Sequence, residues 1–171
     1  MGVIRGIWDE TRRRVEHLRD PIGYWRAQGA TIGADCRLIG CDFGSEPYLV
    51  TLGDHVSATD TAFVTHDGGV WVFRHEWPDA DVFGRITVGN NVFFGGGVVV
   101  LPGVTIGDDV VVGARSLVTK DIPSGSVAAG QPARVLKSLA DYRAGLKPRT
   151  VPTARMGRPE KRAWLERHWR G

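Results

Sequence analysis

Residues 88 to 123, written in sixes, read VGNNVF, FGGGVV, VLPGVT, IGDDVV, VGARSL, VTKDIP. The first position is Val88, Phe94, Val100, Ile106, Val112 and Val118, apolar every time. The fifth is Val92, Val98, Val104, Val110, Ser116 and Ile122, apolar or small every time. Glycine holds the second position at Gly89, Gly95, Gly107 and Gly113. The same frame recurs in LGDHVS (52–57) and ATDTAF (58–63), and it reaches back to IGADCR (32–37). A period of six matches neither the 3.6 residues of a helical turn nor plain strand alternation. It fits a short strand with two or three inward residues, then a tight turn suited to glycine or asparagine. Successive turns wind such a chain into a solenoid, each strand about 4.8 Å from its counterpart in the next coil. Fully burying one aliphatic side chain contributes roughly 1.5–3 kcal/mol. A regular column of them can outweigh the entropy cost of ordering a chain with 23 glycines.

The segment ITVGNNVFFGGGVVVLPGVTIGDDVVVGARSLVTKDIPSGSVAAGQPARVL resembles the C-terminal coils of galactoside and maltose acetyltransferases. FGSEPYLVTLGDHV followed by FVTHDGG resembles the polysaccharide O-acetyltransferases of capsule, exopolysaccharide or lipopolysaccharide synthesis. Over residues 30 to 137 the chain is identified as a member of the hexapeptide-repeat acyltransferases. That resemblance implies an all-β solenoid, a left-handed parallel β-helix with three six-residue faces per coil and short N-terminal and C-terminal helices. The hand comes from the resemblance alone, because parallel crossovers in general favour the right hand.

The flanks divide the rest. Residues 1–29 are expected to form a helical cap, with Ile4, Ile7, Trp8, Val15 and Leu18 on one face of a helix over 3 to 19. Solenoid ends need such a cover for their strand edges. Residues 30–137 form the solenoid, interrupted by an excursion over 67–85, and residues 138–171 are a basic tail. SLADYRAG predicts a short helix, KPRTVPTARMGRP a connector, and PEKRAWLERHWR a basic helix bearing Trp164, Leu165 and Trp169. This helix docks on the protein's own body or a neighbouring subunit, or else makes a peripheral membrane contact, since tryptophan with arginine suits the headgroup layer.

Moving an acetyl group from a thioester to a sugar hydroxyl needs a base and a positioned acceptor. A side chain that removes the hydroxyl proton during attack contributes about 10²–10⁴-fold. Histidine suits this task because its reference pKa, about 6.5, lies near working pH. His66 ends a repeat strand where the chain leaves the wall, with rigid backbone behind it and open space in front. The resemblance puts the family's catalytic histidine at the same place, so His66 is the expected base, with His75 its rival. A carboxylate that fixes the tautomer improves such a base. Asp67 is adjacent, but neighbours in a strand point apart. Glu46, 20 residues earlier and close to one coil of about 18, can lie directly beneath, and is preferred. Arg74 and His75 in the excursion, with His55, are the acceptor-binding candidates.

The resemblance also implies acetyl-CoA as donor, lying in a groove between two subunits of a homotrimer. Its contacts fall on Gly96, where the sugar acetyltransferases carry serine, then on Ala114, Thr119 and Lys120. Arg134 and Lys137 follow as partners of the nucleotide phosphates, a role their charge supports independently. Phe94 stands in for a more usual tryptophan and is expected to keep an aromatic wall. The acceptor implied is a saccharide or glycolipid. An antibiotic-acetylating enzyme of the same architecture would share base and groove.

Several other classes fit poorly. A zinc carbonic anhydrase of the γ type needs three converging histidines, and the intervals from His55 to His66 and to His75 do not match its pattern. No metal is expected. FFGGGVVV precedes no helix and lacks the lysine of a phosphate loop. A non-catalytic scaffold would not need His66 or the set Lys120, Arg134 and Lys137. Cys36, at an inward fifth position, reads as a buried structural thiol, and two cysteines are too few for a disulfide framework. Net charge is +3, but residues 1–133 carry 11 basic and 16 acidic side chains, whereas 134–171 carry 11 and 3. The basic residues lie outside the regular body and no nucleic-acid motif appears, so nucleic acid is not the expected partner. No secretory signal pattern or membrane-spanning run is evident, and a cytoplasmic enzyme, at most touching the inner membrane face, is expected.

Overall fold

Every first-position and fifth-position side chain from Val88 to Ile122 turns inward, and none is more than 4 % exposed. The computed structural model describes residues 19–169, and it shows why. The chain coils about five times as a parallel β-solenoid with three flat walls. The first wall stacks β1 (Thr31–Ile32), β3 (Val50–Leu52), β6 (Ile86–Val88) and β9 (Thr105–Ile106). The second stacks β2 (Arg37–Ile39), β4 (Ser57–Thr59), β7 (Val92–Phe94), β10 (Val110–Val112) and β12 (Ser126–Gly130). The third holds β5 (Ala62–Phe63), β8 (Val99–Val100) and β11 (Leu117–Val118). Thr87 pairs with Thr105, Val92 with Val110 and Val99 with Leu117, so a regular coil is 18 residues. The first coil takes 20, Thr31 pairing with Thr51.

Aromatic rings line the axis through the early coils. Phe43 and Phe63 lie 4.8 Å apart, Phe63 and Phe94 5.8 Å, edge to face. Trp25 stacks on Phe43 at 4.9 Å, carried there by a short helix, α1 (Pro21–Ala27). Asp20 starts that helix by accepting from the Gly23 amide, and Pro21 occupies a position with no amide to lose. Arg26 donates to the carbonyls of Ile32 and Gly33 on the first coil. These residues close that end of the solenoid. The helix expected over 3 to 19 lies outside the described residues, apart from Arg19.

Two expectations need correction. The turn between the first and second walls adopts a left-handed backbone, at asparagine as expected in Asn91 but at Asp35, His55 and Asp109 in the other coils and at glycine in none of them. Short polar side chains tolerate that conformation by bonding locally. The second-position glycines answer a different need, close approach between coils. A Cβ on Gly89 would lie 2.9 Å from the Asp108 backbone nitrogen, and one on Gly95 would collide with the Ala114 backbone. Cys36 is only partly buried, its thiol directed at the Gly53 carbonyl (3.2 Å), whereas Cys41 is the enclosed thiol, 2 % exposed. Cys36 packs against the edge of the core, whereas burial pushes the Cys41 thiol pKa up.

The last coil ends in a hairpin. β13 (Ala133–Ser138) turns back antiparallel along β12, Ala129 opposite Arg134 and Val127 opposite Lys137. The chain then forms a second compact unit, Ala140–Gly171, distinct from Met1–Leu139. Helices occupy the two predicted stretches as α2 (Leu139–Leu146) and α3 (Arg158–His168). In α3, Arg162 pairs with Glu166 one turn on, and His168 stacks on Trp164 at 4.6 Å. No helix among the described residues is long and apolar enough to cross a membrane.

Candidate active site

The third wall continues past β5 through Val64, whose amide donates to the Val100 carbonyl, and Thr65, which is fully buried. His66 comes next, on the outside. There the chain departs. Asp67 accepts from the Gly69 amide at 2.8 Å and starts a 3-10 turn over Gly68–Phe73. The excursion returns beside its own start: His66 bridges Phe83 antiparallel, Asp67 donates to Val82, and Gly84 donates to Thr65. Clipping both ends together holds the imidazole at the mouth of the loop.

Glu46 reaches the same point from the coil below. Its Oε2 lies 3.1 Å from His66 Nδ1 and accepts from the Thr65 hydroxyl at 2.9 Å. The Glu46 side chain is 14 % exposed and that of His66 45 %. A hydrogen bond from the Ser45 side chain holds the Glu46 carboxyl below the usual carboxylate range, opposed by burial and helped by Thr65 and His66. An ionised carboxylate only accepts. The matching tautomer of His66 therefore carries its proton on Nδ1 and leaves the lone pair on Nε2. Around this pair lies a cleft of about 340 Å³ lined by Ser45, Glu46, His66, Asp67, Trp71, Arg74 and Phe83, among others.

The other candidates are spread. Asp67 lines the cleft, but its carboxylate is engaged in the loop turn rather than by His66. Arg74 also lines it while donating to the carbonyls of Pro78 and Ala80 and to Asp81, so it braces the loop. His75 is exposed and does not line the cleft. His55 sits in a left-handed turn with Nδ1 2.9 Å from Asn91 Oδ1, beside a different cavity of about 520 Å³. Thr65 was not singled out from sequence. The signal for it was a hydroxyl following the apolar run AFV, since a buried hydroxyl needs a partner.

Of the residues expected to contact the donor, Gly96 and Ala114 occupy the same corner of successive coils, where the Arg115 amide donates to the Gly96 carbonyl. A Cβ at Gly96 would meet nothing within 4 Å. Lys120 and Arg134 line one cleft of about 320 Å³ with Asp121, Ile122, Ala133 and Val135. Two cations on one cleft suit an anionic group, and neither Gly96 nor Ala114 lines that cleft. Thr119 is half-buried next to Lys120, and Lys137 lies on β13 outside that cleft. The aromatic wall expected at Phe94 is not there: Phe94 is fully buried against Phe63, because strand alternation sends it inward. Its neighbour Phe93 is the outward ring, 46 % exposed.

Known proteins match this architecture. The bacterial transferase hexapeptide (six repeats) family matches residues 85–120. Protein CapG of Staphylococcus aureus is 46 % identical over 144 residues, 82 % of this chain and 84 % of CapG. Galactoside O-acetyltransferase of Escherichia coli (strain K12) is 44 % identical over 98 residues, 56 % of this chain and 47 % of that protein. A hexapeptide-repeat acetyltransferase of Vibrio cholerae O1 biovar eltor, solved in complex with acetyl coenzyme A, is similar at a TM-score of 0.59 and 27 % identity. The match covers 75 % of this chain and 84 % of that one. The solenoid is the left-handed parallel β-helix of these acetyltransferases.

Proposed function

The chain belongs to the hexapeptide-repeat acyltransferases, and from that premise we propose that it moves an acetyl group from acetyl-CoA to a saccharide hydroxyl, with His66 as general base. The observation that carries this reading is the 3.1 Å contact between His66 Nδ1 and Glu46 in an open cleft. With Nδ1–H held by Glu46, Nε2 is the atom that accepts the acceptor's hydroxyl proton. The hydroxyl oxygen bonds to the acyl carbon, the C–S bond breaks, and the thiolate leaves to be protonated. Glu46 stays ionised and steadies the imidazolium that forms in between.

Acetyl-CoA as donor is supported by the similar Vibrio cholerae protein, which binds it, and by the pairing of Lys120 with Arg134 around one cleft. Gly96 and Ala114 would border the thiol arm and Lys137 would add charge from the hairpin. A saccharide acceptor is supported by the similarity to galactoside O-acetyltransferase, with Trp71 and Arg74 at the cleft edge as its contacts. We place the working form as a homotrimer in the cytoplasm, with the donor groove shared between neighbours.

The test is thiol release from acetyl-CoA against a panel of sugars and glycolipids, with wild type and His66→Ala compared. His66→Ala is expected to lower turnover by about 10²-fold or more, with melting temperature and coenzyme A binding kept. Unchanged turnover would remove His66 from the mechanism.

A further inference from the structure

Thr65 and His66 are adjacent in an extended chain, so their side chains leave on opposite faces. Thr65 goes inward and is fully buried, while His66 goes outward. Yet both donate to one atom, Oε2 of Glu46, at 2.9 and 3.1 Å. The carboxylate reaches over the wall from the coil below, so that a donor from inside and one from outside meet on it. We infer that Thr65 is a positioning residue of the Glu46–His66 pair, locking the carboxylate so that it accepts the Nδ1 proton in a single geometry. This rests on His66 as the base.

Three features favour this role over simple core filling. A hydroxyl buried in the solenoid costs free energy unless it is bonded, and whereas Thr61 and Ser116 donate to nearby backbone carbonyls, Thr59 and Gly113, Thr65 donates to a side chain from another coil. Its bond goes to the carboxylate that touches the imidazole. Moreover, Glu46 follows Ser45 in an exposed stretch before the 3-10 turn Pro47–Leu49, where a regular strand does not hold it. A carboxylate on such a segment swings unless a rigid neighbour fixes it. Thr65 is that neighbour, since its own backbone is tied to Gly84.

The test uses the full chain with Thr65→Val, which keeps the shape and removes the hydroxyl, Thr65→Ser, which keeps the hydroxyl, and Thr65→Ala as a second deletion. Thr65→Val is expected to lower kcat about tenfold, the scale of a hydrogen bond to a charged group, with KM for acetyl-CoA unchanged. Thr65→Ser should restore most of kcat. In a Glu46→Gln background the Thr65→Val loss should largely vanish, because the two act through one atom. Nitrogen-15 spectra of labelled histidine supply a readout apart from turnover: the Nδ1–H tautomer of His66 should lose its dominance in Thr65→Val and keep it in Thr65→Ser. If Thr65→Val is too unstable to assay, Thr65→Ala carries the same comparisons. A tautomer unchanged in the hydroxyl deletion, or losses that add in full with Glu46→Gln, would overturn the role of Thr65. If instead His66→Ala leaves turnover intact, the base assignment falls, and the tautomer spectra still decide whether Thr65 orders the ring.

Discussion

Glu46 is held ionised by donors converging from Ser45, Thr65 and His66. A folded-state pKa below the unfolded value means the group stabilises the fold above about pH 4.3, its ordinary value. That contribution fades as pH falls through the depressed native value. Wild type and Glu46→Gln should therefore differ in denaturation midpoint at about pH 5, where the Glu46 carboxylate is ionised. The gap should close on further acidification, and a gap that widens in acid would contradict the assignment. That Glu46 lies under His66 was legible in the sequence, because the 20-residue interval is one coil of the early solenoid. Thr65 was not legible, because nothing in the repeat says which buried hydroxyl meets a carboxylate from another coil. Phe94 shows the opposite failure. Phe94 holds an inward first position of the repeat, and its aromatic type does not override strand alternation.

At the scale of the element, the coil was readable and the excursion was not. First and fifth positions repeat because burial repeats, so the walls follow from hydrophobicity alone. The loop from Asp67 to Gly84 has no period. Its shape comes from Asp67 starting a 3-10 turn and Arg74 gathering two carbonyls and Asp81, bonds that pattern reading cannot anticipate. The hairpin of β12 and β13 was missed for a related reason: its strands pair antiparallel, outside the repeat that announced all the others. Glycine gives a sharp test of what the coil requires. Gly95→Ala places a methyl on the Ala114 backbone and should destabilise by about 1–3 kcal/mol, the usual cost of overpacking. Gly96→Ser, one residue on, has open space and should cost less than 0.5 kcal/mol or so. Urea unfolding of the two variants checks this. Equal losses would show that both glycines serve backbone freedom rather than the contact between coils.

For the whole molecule, the second wall and the excursion loop leave large apolar side chains exposed. Ile39 is 50 % exposed, Phe93 46 %, Trp71 75 % and Phe83 53 %, all within the solenoid unit. Contiguous apolar patches mark contact surfaces, and in the proposed trimer each copy would offer one wall to the next. A donor groove formed between copies would then couple assembly to turnover. Sedimentation equilibrium should give a mass near three chains of 18.7 kDa, about 56 kDa. Phe93→Glu sets a charge on the second wall without touching the core, since the ring already points outward. It should lower the mass and the turnover together while leaving the far-ultraviolet circular dichroism of the strands intact. A monomeric variant that turned over at the wild-type rate would separate catalysis from assembly and place both substrates on a single chain.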